Sequence, residues 1–201
     1  VIDEFEMPSG RHLARRTLTY NSPPPPSSAW ERCRLASDTR VAIEGSLASM
    51  KETRTSIDYG SNAFDNPESV WEYGDSSDIA DGRKTTFMYA TSSADKYLVS
   101  LPTCVTVQDI AGTTDLKKQA LYYDGASPGS PSCIGGTTIT NGALTSTYDW
   151  LKGTSPTPDR WIRSRHLTRD ATTGAITSTT DATGVQAIIT YESTYKAFPT
   201  N

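Results

Sequence analysis

The sequence predicts an all-β fold built from antiparallel β-hairpins that repeat along the chain. Two alternating runs near the C-terminal end each close on an aspartate and a glycine, at 170–174 and 181–184, and a third run carries residues 188–192. Aspartate at the start of a turn can accept hydrogen bonds from the backbone, and glycine tolerates the positive φ that reverses the chain. Repetition of this unit indicates a hairpin array, an architecture that is usually a scaffold.

Composition supports the same fold class. The 201 residues include 10 tyrosines, 14 glycines and 12 prolines, and threonine is abundant. Threonine and tyrosine favour strands, whereas glycine and proline supply turns. Leucine and alanine do not form the long amphipathic stripes of a helical protein.

The N-terminal part predicts strands interrupted by irregular chain. Residues 13–20 alternate as a strand, and the prolines at 23–26 require an extended polyproline spacer or surface loop. Residues 27–50 are the least repetitive, and we interpret them as an insertion with one short helix within 28–35 and a strand at 41–43. We therefore divide the chain into residues 1–51, with the first strands, the polyproline loop and the insertion, and residues 52–201, the hairpin array.

The array itself is predicted from alternating runs and turn signals. Asp124-Gly125 is a strong hairpin signal after the strand at 119–123. Residues 125–142 are predicted as a long loop with one strand at 137–140. Further strands are predicted at 51–59, 70–73, 84–89, 98–109, 146–149 and 161–169, with turns or loops at 60–67, 74–82, 109–112 and 153–159.

Charge and hydropathy exclude several classes of function. The net charge is −4 and the pI about 5.2, so the sequence lacks the basic surface that binds nucleic acid or anionic membranes. No stretch has the apolar length of a membrane span, and the N-terminus does not resemble a signal peptide. The chain starts on Val1 rather than methionine, and we expect it to be an excised piece of a longer protein.

Three cysteines, Cys33, Cys104 and Cys133, are far apart and odd in number. Their spacing fits neither a metal site nor a disulfide framework. We favour isolated cysteines in the core or in strands, and one disulfide with a free thiol is the alternative.

The sequence offers no convincing catalytic or metal-binding constellation. A nucleophile needs a base within reach, and the only histidines, His12 and His166, lie in runs where a strand role is natural. The acidic loop at 74–82 does not match the calcium-binding spacing of an EF-hand. We expect no enzyme, no catalytic residue, no cofactor and no metal. Turn geometry is the favoured explanation for the aspartates at 109, 124, 149, 170 and 181, over a glycosidase-like carboxylate pair.

Tyrosines recur at the ends of alternating runs. There a tyrosine can bury its ring between strands while the hydroxyl stays hydrogen-bonded or wet. We favour a packing role, and exposed rings that bind sugars are the alternative. The tyrosines concerned are Tyr20, Tyr59, Tyr73, Tyr89, Tyr123, Tyr148 and Tyr191.

These residues together resemble the RHS/YD-repeat family, and the shell-forming B component of bacterial insecticidal toxin complexes in particular. The similarity spans roughly residues 52–201. It rests on the pairs Tyr123-Asp124 and Tyr148-Asp149, the variant Tyr191-Glu192, the three Asp-to-Gly turns at 109–112, 170–174 and 181–184, and the stretches 70–75, 85–89, 97–102, 105–107, 122–125 and 189–200.

The resemblance implies an architecture and a mode of action. Family members wind hairpins into a larger curved, spiralling sheet that closes into a hollow shell around a toxic C-terminal polypeptide. The resemblance therefore implies a secreted virulence protein, of which this chain is a structural strip. Its partners would be the rest of the shell, the toxin cargo and a pore-forming translocation component. The family's self-cleavage motif is not matched here, so no catalytic residue is carried over. A cell-surface module that binds glycans or a protein is the alternative.

Overall fold

A computed structural model describes residues 2–6, 11–21, 34–43, 50–60, 66–75, 79–91, 98–126, 128–193 and 198–200. The polyproline run at 23–26, most of the expected short helix, Cys33 and the centres of the turns at 60–67 and 74–82 lie outside these residues.

The fold is all-β, as the sequence predicts. The strands are β1 (Ile2–Glu6), β2 (Arg11–Asn21), β3 (Arg34–Ile43), β4 (Met50–Asp58), β5 (Ser69–Asp75), β6 (Arg83–Tyr89), β7 (Pro102–Asp109), β8 (Asp115–Tyr123), β9 (Leu144–Leu151), β10 (Arg160–Arg169), β11 (Ile176–Asp181), β12 (Gln186–Ile188), β13 (Thr190–Tyr191) and β14 (Pro199–Thr200). The strand order of the main sheet is that of the chain, from β1 to β12, and it does not close, while β13 and β14 form a separate pair. Neighbouring strands pair antiparallel from β1 to β6, from β8 to β12 and between β13 and β14.

Strand β3 corrects the interpretation of residues 27–50 as an irregular insertion. Residues 34–40 were not expected to be a strand, yet β3 pairs with β2 on one side and β4 on the other. Alanine, serine and aspartate have weak β-propensity, but pairing along both edges of a strand outweighs it. The expected helix at 28–35 is contradicted at Arg34 and Leu35, which belong to the strand.

The Asp124-Gly125 hairpin is also corrected. Both residues have positive φ, 56° and 82°, but they start the long connection 124–143 instead of turning directly into a strand. The expected long loop is therefore present. The strand expected at 137–140 is reduced to one parallel bridge between Thr91 and Thr138.

The chain divides into two compact units. The first comprises Val1–Thr86 and Val107–Leu116, and the second comprises Phe87–Thr106 and Lys117–Asn201.

Apolar burial differs between the two units. The buried apolar residues in the described part of the chain all belong to the second unit: Cys104, Ala120, Tyr123, Ile139, Tyr148 and Leu167. The buried polar side chains described in the first unit are Ser37, Asn66 and Ser69. A stable sheet normally buries an apolar face against another layer. The described side chains of the first unit do not form such an apolar core.

Cross-strand pairs of a cation and an aromatic ring recur along the array. Lys84 lies directly opposite Trp71 in the ladder, with its Nζ 5.0 Å from the ring centroid. The same contact joins Lys118 to Trp150 at 5.0 Å, Arg54 to Tyr73 at 5.7 Å and Arg34 to Tyr59 at 5.5 Å. Such cross-strand pairs each add modest stability to a sheet.

Candidate functional site

The turn carboxylates are the most regular chemical feature of the molecule. In the turn after β10, Oδ1 of Asp170 accepts hydrogen bonds from the backbone N–H groups of Thr172 (3.0 Å) and Thr173 (2.9 Å). The Thr173 hydroxyl donates to the same oxygen at 3.1 Å. The carboxylate thus satisfies backbone donors that a reversing chain leaves unpaired.

Asp181 repeats this arrangement after β11. Its Oδ1 accepts from the N–H groups of Thr183 (2.8 Å) and Val185 (3.0 Å), and from the Thr183 hydroxyl (2.7 Å). The hydrogen bond from that hydroxyl is the main cause that lowers the pKa of Asp181 below its usual value. The two C-terminal turns therefore have the structure that their sequences predict.

Asp109 forms the third clamp of this type, between β7 and β8. Its carboxylate oxygens accept from the Thr113 hydroxyl at 2.8 Å and the Thr113 N–H at 2.7 Å. These two hydrogen bonds are the largest causes that lower the pKa of Asp109 to about 2. A carboxylate with so low a pKa stays ionised at neutral pH and is a poor general acid.

Asp124 uses its carboxylate to hold the far end of its own loop. Oδ2 accepts from the N–H groups of Thr140 (2.6 Å) and Asn141 (2.9 Å), and Oδ1 accepts from Ala143 (3.0 Å). Desolvation acts to raise the pKa of Asp124, but hydrogen bonds from backbone N–H groups outweigh it and the pKa is lowered. Asp124 is therefore a loop clamp, not the corner of a tight hairpin.

Asp149 corrects the expectation that turn geometry explains all five aspartates. It lies inside β9, opposite Ile162 of β10 and Gln119 of β8. Its Oδ1 accepts a 2.9 Å hydrogen bond from Nε2 of Gln119. The Tyr-Asp pair at 148–149 thus belongs to a central strand, where the carboxylate makes a cross-strand contact.

Three of the strand-end tyrosines donate a hydrogen bond from their hydroxyl to a backbone carbonyl. Tyr123 donates to the carbonyl of Pro102 at 2.8 Å, Tyr191 to that of Ile176 at 3.0 Å, and Tyr59 to that of Leu35 at 3.3 Å. Tyr123 and Tyr148 are each only 8% exposed, whereas Tyr20 is 55% exposed. Burial raises the pKa of Tyr123 and of Tyr89.

One serine–histidine contact was missed from the sequence. Oγ of Ser146 lies 2.9 Å from Nδ1 of His166, which faces it across β9 and β10. Ser146 is 1% exposed, so a substrate carbonyl cannot reach its oxygen. The pair therefore serves as a buried cross-strand hydrogen bond, and only the strand register could have revealed it. The side chain of His12 lies outside the described residues.

A second missed cluster centres on Asp38 in the first unit. Arg16 donates to both of its oxygens, from Nε at 3.0 Å and Nη2 at 2.9 Å, and Nη2 of Arg40 donates to Oδ2 at 3.0 Å. The Arg16 hydrogen bond is the main cause of the lowered pKa of Asp38, and it also raises the pKa of Arg16. An open groove beside this cluster is lined in part by Thr53, Thr55 and Glu72.

The cysteines correct the favoured interpretation of isolated thiols. Cys104 and Cys133 form a disulfide, with their Cα atoms 5.1 Å apart. Of the two interpretations, the alternative with one disulfide is therefore confirmed for Cys104 and Cys133. Distant cysteines can pair only where the fold brings them together, which the sequence spacing did not reveal.

The described residues hold neither a cluster of metal ligands nor a helix that could span a membrane. There, no three histidine, cysteine, aspartate or glutamate side chains are grouped so as to hold a metal ion. The same part of the chain contains no helix of the length and apolarity needed to cross a bilayer.

No protein-family model matches this chain, and no curated protein matches it.

Proposed function

We propose that this chain is a wall segment of a secreted RHS/YD-repeat shell that encloses a toxic polypeptide. In this role the chain supplies sheet surface and fixed turns instead of an active site. The proposed kind of shell rests on the resemblance over residues 52–201. The geometry supplies a physical reason for a structural role.

The observation that carries the proposal is an open hairpin array with little apolar core in one of its units. Strands follow one another in chain order without closing. The first unit buries Ser37, Asn66 and Ser69, with no apolar side chain among its buried described residues. An array of this kind gains stability when neighbouring repeats stack on it, as in other repeat proteins.

The chemistry of the carboxylates supports the same role. Four carboxylates accept hydrogen bonds from backbone N–H groups of their own loops: those of Asp109, Asp124, Asp170 and Asp181. Such carboxylates fix corners, and they are poorly placed to serve as an acid and base pair. The Cys104–Cys133 disulfide is also consistent with folding in an oxidising compartment, as expected for a secreted protein.

The tyrosines favour the shell over the glycan-binding alternative. Sugar-binding aromatic rings present an open face, whereas the rings of Tyr123 and Tyr148 are buried and Tyr122 packs edge-on against Tyr148 at 5.5 Å. Trp71 and Trp150 each carry a lysine ammonium over the ring.

The test is electron microscopy of the longest polypeptide encoded in the reading frame that contains this chain. The proposal expects several hundred further repeat residues and a hollow particle with density inside. Deletion of the polypeptide that follows the repeats should empty the particle while the wall remains. A solid globular particle, or a reading frame without further repeats, would refute the shell.

A further inference from the structure

A strap, defined here as residues 128–143, runs over the second unit between β8 and β9. Loops of this length without strands of their own are uncommon in compact domains and often functional. This strap is nevertheless tied down between residues 132 and 143, by one covalent bond and several hydrogen bonds. The ties fall into two groups of different chemistry.

The first group holds the proximal part of the strap around Cys133. The disulfide joins Cys133 to Cys104 of β7. The Tyr122 hydroxyl accepts from the N–H of Ser132 at 2.9 Å and lies 3.1 Å from the carbonyl oxygen of the same residue. The Thr103 hydroxyl donates to the carbonyl of Ile134 at 2.6 Å. All three ties thus fall within residues 132–134.

The proximal part continues to contacts with the end of β6 and with Thr91, whose hydroxyl donates to the carbonyl of Gly136 at 2.7 Å and whose N–H donates to that of Thr137 at 2.9 Å. The N–H of Gly136 donates to the carbonyl of Tyr89 at 2.8 Å. Gly136 has φ of +69°, which suits the sharp bend of the strap at this point. Its amide therefore reports whether the proximal part is seated.

The second group holds the distal part of the strap mainly through hydrogen bonds to a carboxylate. The Asp124 carboxylate accepts from the N–H groups of Thr140, Asn141 and Ala143. Ile139, which is 7% exposed, anchors the same part by apolar burial. None of these distal ties depends on the oxidation state of sulfur.

We propose that the Cys104–Cys133 disulfide is a reducible latch that releases the proximal part of the strap while the Asp124 clamp retains the distal part. The disulfide is asymmetric in access: Cys104 is 1% exposed, whereas Cys133 is partly exposed. An incoming thiolate therefore attacks the sulfur of Cys133, since exchange depends on access to the attacked atom.

The exchange is balanced with a dithiol reductant. Its thiolate forms a mixed disulfide with Cys133 and expels the Cys104 thiolate, whose sulfur lies 3.5 Å from the Thr106 hydroxyl. That hydroxyl can donate to the departing thiolate. The second thiol of the reductant then displaces Cys133 and closes the reductant's own disulfide. Two electrons pass to the protein, and the two protons of the dithiol end on Cys104 and Cys133.

The latch has a distinct signature in amide hydrogen exchange, which reports local opening segment by segment. We use a Cys33→Ser background, so that no third thiol takes part in exchange, and compare oxidised protein with protein reduced by dithiothreitol. Loss of a disulfide frees the chain it had closed, so the amides of Ser132 and Gly136 should exchange at least about tenfold faster after reduction. The amides of Thr140, Asn141 and Ala143 should keep their rates.

Two variants separate the groups of ties. Cys133→Ser should reproduce the reduced pattern without reductant. Asp124→Asn in oxidised protein should give the opposite pattern, with faster exchange at residues 140–143 and little change at Ser132 and Gly136. The two halves of the strap would then open independently.

Three results would overturn the latch. One is full protection of Ser132 and Gly136 in reduced protein, because the hydrogen bonds alone would then seat the strap. Another is loss of protection in β8 and β9 as well, which would make the disulfide a staple of the whole unit. The third is a disulfide that dithiothreitol does not reduce in the folded protein. None of these results depends on whether the chain belongs to a shell.

Discussion

The hydroxyl of Tyr123, at the end of β8, donates a 2.8 Å hydrogen bond to the carbonyl oxygen of Pro102, the first residue of β7. Tyr59 and Tyr191 follow the same rule, since each lies at or just beyond a strand end and bonds to a carbonyl near the start of an earlier strand, at Leu35 and Ile176. In these three cases a tyrosine at a strand end therefore ties its own strand to the start of an earlier strand through its hydroxyl.

Removal of that hydroxyl should weaken the fold measurably. Tyr123→Phe keeps the buried ring and loses only the donor, so we expect the free energy of unfolding to fall by about 1 kcal/mol. Urea denaturation followed by tryptophan fluorescence measures this change. Tyr20→Phe is the matched control, because Tyr20 is 55% exposed and should change stability by less than about 0.5 kcal/mol. Equal effects of the two variants would remove the special role of the Tyr123 hydroxyl.

The Asp109 clamp should make stability depend on pH in the acid range. Its pKa is about 2 in the folded protein, below the ordinary value of 3.8. A lowered carboxylate pKa stabilises the fold above the unfolded pKa, and this contribution is lost as the pH falls from about 4 through about 2. Urea midpoints between pH 2 and 5 should therefore fall more steeply for the wild type than for Asp109→Asn.

Thr113→Val separates the two largest causes of the lowered pKa of Asp109. It removes the hydroxyl donor and keeps the Thr113 backbone donor, so the pKa of Asp109 should rise part of the way toward 3.8. NMR titration of the Asp109 carboxyl carbon gives the value directly. An unshifted Asp109 in the wild type would contradict the clamp.

At Asp124 the contribution of backbone conformation to stability can be separated from that of the carboxylate. Its φ is 56°, a region that glycine and asparagine tolerate better than alanine. All three replacements lose the carboxylate, but Asp124→Ala should also incur backbone strain. We expect Asp124→Ala to be less stable than Asp124→Gly by about 1 kcal/mol, with Asp124→Asn the mildest of the three. Thermal unfolding measures the order, and an alanine variant as stable as the glycine variant would show that strain plays no part.

The sequence predicted local features well because a turn carries its own chemistry. Asp170 and Asp181 stand beside the very backbone donors that they bind, so spacing within a few residues was enough. The disulfide between Cys104 and Cys133, the contact between Ser146 and His166, and the strand position of Asp149 depend on register between distant segments. Local patterns contain no information on that register, and weak β-propensity likewise concealed the start of β3 at Arg34.

The small apolar core of the second unit should be sensitive to truncation. Leu167 on β10 is 5% exposed, and Leu167→Ala should lower the free energy of unfolding by about 2–4 kcal/mol through lost burial and a residual cavity. Leu151→Ala on the neighbouring β9 is the control, because Leu151 is 42% exposed and should lose about 1 kcal/mol or less. Chemical denaturation of both variants tests this, and a small effect at Leu167 would mean that the unit is not held by this core.

The last strand of the main sheet, β12, should make the isolated chain self-associate. All three of its residues are exposed, Ile188 at 73%, and its far edge is unpaired in the strand order of the described residues. An exposed strand edge with an apolar side chain is a template for pairing with another chain, and a lysine on the edge opposes such pairing. Ile188→Lys should therefore shift the protein toward monomer in sedimentation velocity over a range of concentrations.

The change in net charge cannot by itself produce the shift toward monomer expected for Ile188→Lys. The chain carries −4, so a new lysine moves it toward neutrality, which by itself promotes association. Thr172→Lys adds the same charge on an exposed turn, away from the edge, and leaves intact the backbone N–H that Asp170 binds. It should associate at least as strongly as the wild type. A stable wild-type monomer at every concentration would show that β12 is not an open pairing edge, and would remove one physical reason to expect further repeats beside it.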